Sequence, residues 1–180
     1  MRILHLTKND YKISQWSGGT TTEVFIWPEG SSYAAREFQL RISSATVDLA
    51  ESDFTPLPGV TRYIVPLRGS FTLSHPGQQP VAMDPLCQPY RFSGGIDTHC
   101  VGKATDFNLM LKGTEGEMRI CRDSASLVPG LTCLYAPRAC QVTMGEHVFP
   151  LQEGDSLVIF SQENAQANTD GTLICCHAAI

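Results

Sequence analysis

The 180-residue sequence has no long apolar run, no extended helical period and no run of Lys or Arg longer than a pair. No window approaches the ~18 consecutive apolar residues of a membrane helix. The scattered basic residues leave no electrostatic footprint for nucleic acid or an anionic membrane. Apolar residues make up 42% of the chain and charged residues 17%, with a net charge of -5. This composition excludes disordered, collagen-like and coiled-coil classes and predicts a globular protein.

A secretory signal is also missing from the sequence. Residues 1–8 contain no apolar core of signal-peptide length, and no small-residue cleavage site precedes Asp10. The seven cysteines are an odd number spread along the chain, which suits a reducing compartment where thiols act as small hydrophobic groups. We therefore expect a cytoplasmic protein.

The residue clusters that mark a metal centre are absent too. Catalytic metals in β-barrel enzymes are held by clustered His and carboxylate ligands. No two cysteines have the two to four intervening residues of a zinc knuckle. We predict neither a metal nor a cofactor, because the five histidines are isolated: His5, His75, His99, His147 and His177.

The sequence consists of short β-like runs punctuated by Gly, Pro, Asp and Asn, which predicts an all-β fold with at most a few short helices. Alternation is clearest in 37–43 and 106–111, where apolar residues share one face and polar residues the other. The polar faces either meet water or line a pocket. Further strands are predicted at 21–27, 61–67, 70–74, 131–136, 140–144, 156–161 and 172–178.

A faint internal repeat runs through the chain. Residues 79–85 followed by 90–92 resemble 147–155 followed by 157–160, each as a strand, a turn and a strand. The patterns L-x-G-x-F-x-L at 67–73 and L-x-x-G-D-x-L-V at 151–158 resemble strand steps of cupin barrels. We predict one domain over 1–180 with approximate halves 1–114 and 115–180, which could exchange strands, and a polar crossing at 115–126.

Four motifs in sequence order carry a wider resemblance. They are W-S-G-G-T-T-T-E at 16–23, R-I-S-S-A at 41–45, Phe54 with P-G-V-T-R at 58–62, and D-F-N-L-M at 106–110. In order and spacing they resemble the HutD/Ves family over nearly the whole chain, and most of all its Ves-like branch. One departure is Ser17, where many relatives carry Asn, which changes the side chain available for a local turn bond.

The resemblance implies a bicupin fold, a bacterial cytoplasmic protein and an association with histidine utilisation or stress responses. It implies no established enzymatic activity. A metal-dependent cupin would need a His-x-His pair with a further carboxylate and His, and this sequence has none.

Arg62 is the residue that we expect to anchor a ligand. It follows a Pro-Gly turn at the start of a strand, and its planar guanidinium suits a carboxylate. The alternative is that Arg62 pairs with an internal carboxylate such as Asp106 or Glu23 and only holds sheets together. Arg41 is open to the same two interpretations. Asp106 and Asn108 either orient the arginine and a ligand or lie on a solvated sheet face.

The first motif supplies four more candidate ligand-binding residues. The Trp16 indole either roofs a pocket or plugs one end of a barrel. Gly18 and Gly19 would let backbone N–H groups approach an anion as a small nest. Glu23 either caps neighbouring Thr hydroxyls or binds ligand, or is simply a strand-edge charge. No catalytic residue is assigned, since no nucleophile motif such as Gly-x-Ser-x-Gly occurs.

Together these residues and the family resemblance predict a bicupin that binds a small organic acid, and the resemblance implies a regulatory or stress-related role. The family link to histidine breakdown suggests formate, a formylated acidic amino acid and urocanate as examples of the ligand class. One alternative is a metal-independent isomerase or lyase that uses Glu23 or Asp106 as a base. Another is a regulator that binds a protein partner. A homodimer formed through sheet edges is compatible with such a fold.

Overall fold

The chain folds into strands and connecting turns, and the computed structural model describes residues 1–180. No helix of the length and apolarity that a membrane crossing requires is present. In chain order the strands are β1 (Arg2–Leu6), β2 (Lys12–Trp16), β3 (Gly19–Trp27), β4 (Leu40–Val47), β5 (Glu51–Asp53), β6 (Val60–Arg68), β7 (Phe71–Ser74), β8 (Val81–Met83), β9 (Tyr90–Ser93), β10 (His99–Val101), β11 (Ala104–Lys112), β12 (Gly116–Cys121), β13 (Ser124–Leu127), β14 (Gly130–Tyr135), β15 (Cys140–Met144), β16 (His147–Leu151), β17 (Ser156–Ser161), β18 (Ala165–Thr169) and β19 (Leu173–Ala178).

The strands group into two compact units. Residues 12–113 form one, here called the N-terminal unit, and residues 114–180 together with 1–11 form the other, the C-terminal unit. The N-terminal unit has a six-stranded sheet, β2-β3-β4-β11-β6-β9, and a four-stranded sheet, β5-β10-β7-β8. The C-terminal unit has a five-stranded sheet, β1-β17-β14-β19-β12, and a four-stranded sheet, β13-β18-β15-β16.

The two units repeat one topology. The order β4-β11-β6-β9 in the first unit corresponds to β12-β19-β14-β17 in the second, and β5-β10-β7-β8 corresponds to β13-β18-β15-β16. What differs is the addition of β2 and β3 beside β4 and of β1 beside β17. The repeat seen in the sequence is therefore a repeat of strand order, with β8 and β9 equivalent to β16 and β17.

The C-terminal unit has an apolar interior between its two sheets. Its buried cluster draws on strands of both sheets, which is the expected packing of a β-sandwich or barrel. The members of the cluster are Ala125, Leu127, Leu134, Ala136, Val142, Met144, Leu151, Leu157, Ile159, Ala167, Leu173 and Cys175.

In the N-terminal unit, register brings polar side chains of three adjacent strands to one face. Met110 of β11 lies opposite Arg41 of β4 on one side and opposite Arg62 of β6 on the other. Asn108 lies opposite Ser43. Because alternate residues of a strand point to opposite faces, these side chains share a face with one another.

The strongest strand predictions are confirmed, and two details are corrected. Residues 140–144 and 156–161 coincide with β15 and β17. The strand predicted at 37–43 instead begins at Leu40 and continues to Val47. The segment 115–126, predicted as a polar crossing, carries β12 and β13. β12 buries only Met118, and β13 alternates between exposed serines and the buried residues Ala125 and Leu127 over only four residues.

Leu134→Ala should lower the free energy of unfolding by about 2–5 kcal/mol, because it deletes fully buried atoms from the apolar cluster of the C-terminal unit. Urea denaturation followed by circular dichroism measures the change. Val148→Ala is the matched control, since Val148 is 51% exposed and should change stability by less than about 0.5 kcal/mol. Equal losses for the two variants would contradict the assignment of the core.

Candidate functional site

A cavity of about 380 Å³ opens in the N-terminal unit. Most of its wall comes from the six-stranded sheet, β5 contributes Ser52 and Asp53, and connecting segments contribute Tyr33, Phe54 and Thr55. Its lining residues are Ser14, Trp16, Thr21, Tyr33, Arg41, Ser43, Ala45, Val47, Ser52, Asp53, Phe54, Thr55, Arg62, Asp106, Asn108 and Met110. Five of the sequence-predicted site residues are therefore brought together: Trp16, Arg41, Arg62, Asp106 and Asn108.

Arg62 is a buried cation with an incomplete set of partners. Its side chain is on the cavity wall although the residue is only 6% exposed. Nη2 donates to Oδ1 of Asn108 at 3.0 Å, whereas Nε is enclosed without a hydrogen-bond partner. The guanidinium carbon lies 4.7 Å from the ring centroid of Phe54 and 5.2 Å from that of Phe92. These rings provide cation–π contact but no hydrogen-bond acceptor oxygen.

Asn108 links Arg62 to Asp106. A guanidinium only donates hydrogen bonds, so the amide oxygen of Asn108 must face Arg62 and the amide nitrogen must face the other way. That nitrogen donates a short hydrogen bond to Oδ1 of Asp106. Both the oxygen and the nitrogen of the Asn108 amide are thus hydrogen-bonded. Asn108 bridges Arg62 and Asp106, which form no direct ion pair.

Burial raises the pKa of Asp106 to about 7. The nearby charge of Arg62, a backbone hydrogen bond from Ala45 and the bond from Asn108 all oppose the shift without cancelling it. The pKa of Arg62 is in turn lowered, first by burial and also by the like charge of Arg41, while Asp106 acts in the other direction. The site therefore holds a carboxyl that can gain or lose a proton near neutral pH.

Arg41, the second guanidinium of the cavity, has a carboxylate partner. Its Nε donates to Oε2 of Glu23 at 2.7 Å, and its Nη1 donates to the Ser43 hydroxyl at 3.2 Å. Its guanidinium carbon lies 4.1 Å from the ring centroid of Tyr33. Glu23 is not among the residues that line the cavity, so its place in the structure is that of a counter-ion to Arg41.

Trp16 is 42% exposed and forms part of the cavity wall. Neither Gly18 nor Gly19 lines the cavity, and both have close neighbours that leave no room for a side chain. A Cβ at Gly18 would lie 2.1 Å from the Trp16 ring. A Cβ at Gly19, where φ is +154°, would lie 1.8 Å from the carbonyl oxygen of Thr46. The glycines allow close packing at the β2–β3 turn.

Tyr33 and Phe54 are aromatic cavity residues that the sequence did not identify as site residues. Tyr33 lies in the connection between β3 and β4, where no periodicity or motif marks it. Phe54 follows the three-residue strand β5 and belongs to one of the four motifs, which is the only signal the sequence offers for it. Each ring lies beside a guanidinium, Tyr33 with Arg41 and Phe54 with Arg62.

The two units place different side chains on equivalent strands. On β14 and β19, the strands equivalent to β6 and β11, the buried apolar cluster includes Leu134, Leu173 and Cys175. The polar residues that these two strands bury, Thr132 and His177, carry no paired charges, and the Thr132 hydroxyl lies 3.2 Å from Nδ1 of His177. The N-terminal unit instead presents Arg62 and Asp106 to its cavity. Buried charges are costly when they are not fully paired.

A second cavity, of about 510 Å³, shares Asp53 and Phe54 with the first. His75 lines it and is held through Nδ1, which lies 3.3 Å from the carbonyl oxygen of Asp97, while its Nε2 is buried without a partner. The hydrogen bond from His99 to Asp53 raises the pKa of His99. No three His, Cys, Asp or Glu side chains anywhere in the chain form a group that could hold a metal ion.

The repeated two-sheet topology places the chain among the bicupins, and solved structures share the fold. HutD from Pseudomonas fluorescens SBW25 superimposes with a TM-score of 0.83 at 20% identity, over 98% of each chain. A conserved protein of unknown function from Pseudomonas aeruginosa PAO1 gives 0.84 at 20% identity, over 100% of each chain. A bacterial pirin from Escherichia coli in complex with nickel(II) gives 0.67 at 11% identity, over 98% of each chain.

The family follows from the sequence itself. The HutD family model matches residues 8–176, and the chain belongs to the HutD family. A comparison with curated proteins gives no match. The family resemblance inferred from the four motifs is confirmed, whereas assignment to a Ves-like branch stays a prediction.

Asp106→Asn should raise the free energy of unfolding near pH 8 by an amount of the order of a few kcal/mol. Since the pKa of Asp106 rises from 3.8 to about 7 on burial, the carboxyl binds a proton on folding between those values. The free energy of unfolding of the wild type therefore falls as the pH rises from about 4 to about 7. The variant escapes this loss because Asn does not titrate. The advantage of the variant should vanish near pH 4 and be complete above about pH 7.

Urea denaturation across this pH range measures the difference. Asp84→Asn is the control, because Asp84 is exposed and lies outside the cavity. An advantage of Asp106→Asn that stays constant with pH would show that the carboxyl is ionised at a normal pKa.

Proposed function

We propose that the protein binds a small molecule through a carboxylate that lies against Arg62. The observation that carries this proposal is the buried guanidinium on the cavity wall, whose protein partner is the neutral amide of Asn108 and whose Nε has no partner. A carboxylate matches the planar donors of arginine and supplies charge-assisted hydrogen bonds. The ligand would complete the hydrogen bonding that the protein leaves unfinished.

The charges around the cavity favour Arg62 over Arg41 as the anchor. Arg41 is neutralised by Glu23 at 2.7 Å, so its charge is already matched. Arg62 has no such ion pair, and the like charge of Arg41 adds to the cost of keeping it charged. An anion beside Arg62 relieves both effects. We therefore assign Arg41 to shaping the wall and to orienting the ligand.

The size and walls of the cavity restrict the ligand class. A volume of about 380 Å³ is within the range of small-molecule sites, roughly 300–1,000 Å³. The rings of Trp16, Tyr33 and Phe54 provide flat apolar surface beside the polar strand face. A formylated acidic amino acid and urocanate have a carbon framework that can lie on these rings, whereas formate supplies the carboxylate alone. Formate is also included because the structure of HutD from Pseudomonas fluorescens SBW25 was solved in a formate condition.

The biological role that goes with this binding is proposed to be regulatory. The family name connects the chain to histidine utilisation, whose intermediates are small acids, and a binding protein without turnover would report on their concentration. The stress-related role implied by the sequence resemblance stays a prediction of the same kind.

An enzyme is the second candidate function, and Asp106 is the observation that favours it. A carboxyl with a pKa of about 7 on a cavity wall is suited to accept and return protons near neutral pH. Such a group would support an isomerase or a lyase. Proton NMR of each binding acid in D₂O separates the two functions, because turnover or exchange of a ligand proton that depends on Asp106 would favour the enzyme.

Arg62→Ala should abolish or strongly weaken carboxylate binding, by about 1.5–3 kcal/mol, because it removes the charged hydrogen-bond donor. Thermal-shift assays with formate, N-formylglutamate and urocanate measure the effect. For the wild type, each 1 kcal/mol of ligand stabilisation should raise the midpoint by about 2–4 °C. The variant should show no such rise.

Arg91→Ala is the matched control, since it removes an exposed arginine from β9 of the same sheet. It should respond to the acids as the wild type does. The proposal fails if none of the acids raises the wild-type midpoint, or if Arg62→Ala and Arg91→Ala respond equally.

A further inference from the structure

The two arginines of the cavity wall are balanced in charge when Glu23 and Asp106 are ionised. Arg41 and Glu23 form one ion pair at 2.7 Å. The remaining buried charges on the wall are Arg62 and Asp106, one positive and one negative, joined through the amide of Asn108. An incoming carboxylate therefore meets no net positive charge while Asp106 is ionised. It would add a second negative group beside one guanidinium.

We propose that the cavity binds its carboxylate together with a proton, which Asp106 accepts from solvent, so that affinity for the anion falls as the pH rises. This inference rests on the proposed carboxylate-binding function and adds the way in which that binding is regulated. Protonation removes the negative charge of Asp106 and leaves Arg62 as an unmatched cation that the ligand then neutralises.

The hydrogen-bond geometry allows Asp106 to gain a proton without rearrangement. Asp106 acts as an acceptor in its bond from Asn108, and a neutral carboxyl keeps acceptor capacity while gaining one O–H donor. The chain from Arg62 through Asn108 to Asp106 therefore survives protonation. The new O–H lies on a residue of the cavity wall, where a carboxylate ligand could accept from it.

No other group around Asp106 takes this role. From β10, the Cys100 thiol has its pKa raised to about 12 by burial, so it is neutral. From β5, Asp53 is exposed and hydrogen-bonded to His99 at 2.8 Å. From β3 and β4, Glu23 and Arg41 neutralise each other, and from the β3–β4 connection the Tyr33 ring lies over Arg41. Asp106 is the buried carboxyl of the cavity wall without a direct cationic partner.

The coupling between proton binding and anion binding determines how steeply the affinity for the anion depends on pH. Above the pKa of the unliganded carboxyl, about 7, binding of one anion is accompanied by uptake of up to one proton. The apparent affinity should then fall by up to about tenfold for each pH unit. Below that pH the carboxyl is already neutral, and affinity should be nearly independent of pH.

Isothermal titration of the full chain with sodium formate and with sodium acetate tests the inference. Neither acid titrates above about pH 6. Titrations near pH 8 in buffers of different ionisation enthalpy, at constant ionic strength, give the number of protons taken up per bound anion. We expect a value that approaches one for the wild type and for Asp84→Asn, whose substituted carboxyl is exposed and outside the cavity.

Asp106→Asn should bind the same anions with no proton uptake and with an affinity that does not change between about pH 6 and 9. If that variant does not fold, the buffer dependence of the wild type decides the matter alone. Binding by the wild type with no proton uptake and a constant affinity would overturn the proton coupling and leave carboxylate binding intact. Absence of binding to either anion at every pH would overturn the proposed function itself.

Discussion

The buried guanidinium of Arg62 is the constraint around which the N-terminal unit is organised. An arginine that is only 6% exposed must be matched in charge and hydrogen bonding, and the protein supplies a neutral amide and two aromatic rings. The rings of Phe54 and Phe92 lie 4.7 and 5.2 Å from its guanidinium carbon, and Asn108 accepts a hydrogen bond from Nη2. Nε of Arg62 has no partner, and a carboxylate is the acceptor that we propose for it.

The duplicated topology explains how one chain can bury an incompletely paired arginine, which lowers stability, and still fold. In the C-terminal unit the same strand order encloses an apolar cluster, and burial of this kind is the dominant source of stability in proteins. In the N-terminal unit, smaller apolar clusters border the cavity, among them one that includes Ile64, Phe71 and Leu73. Successive residues of β11 thus alternate between packing in the apolar interior and lining the cavity. Strand alternation makes this division possible, since Phe107 and Leu109 are fully buried while Asn108 lines the cavity.

Much of the fold could be predicted because alternation and turn residues are local signals. Residues 106–111 and 156–161 alternate or run apolar strongly enough to identify their strands, and Arg62 and Asp106 were found through chemistry and family resemblance. The pairing of Arg41 with Glu23 could not be predicted. It depends on the strand register that sets Glu23 opposite Ser43, two residues from Arg41 on the same face of β4. Tyr33 was missed for a related reason, since only the path of a connection brings its ring to Arg41.

A crystal structure of the protein grown with formate or urocanate would show directly whether a carboxylate completes the hydrogen bonding of Arg62. We expect density for a carboxylate in the cavity, with its oxygen atoms within hydrogen-bond distance of the Arg62 guanidinium and with Asn108 still bridging to Asp106. A structure in which the acid is absent from the cavity, or in which a protein carboxylate pairs with Arg62, would contradict it.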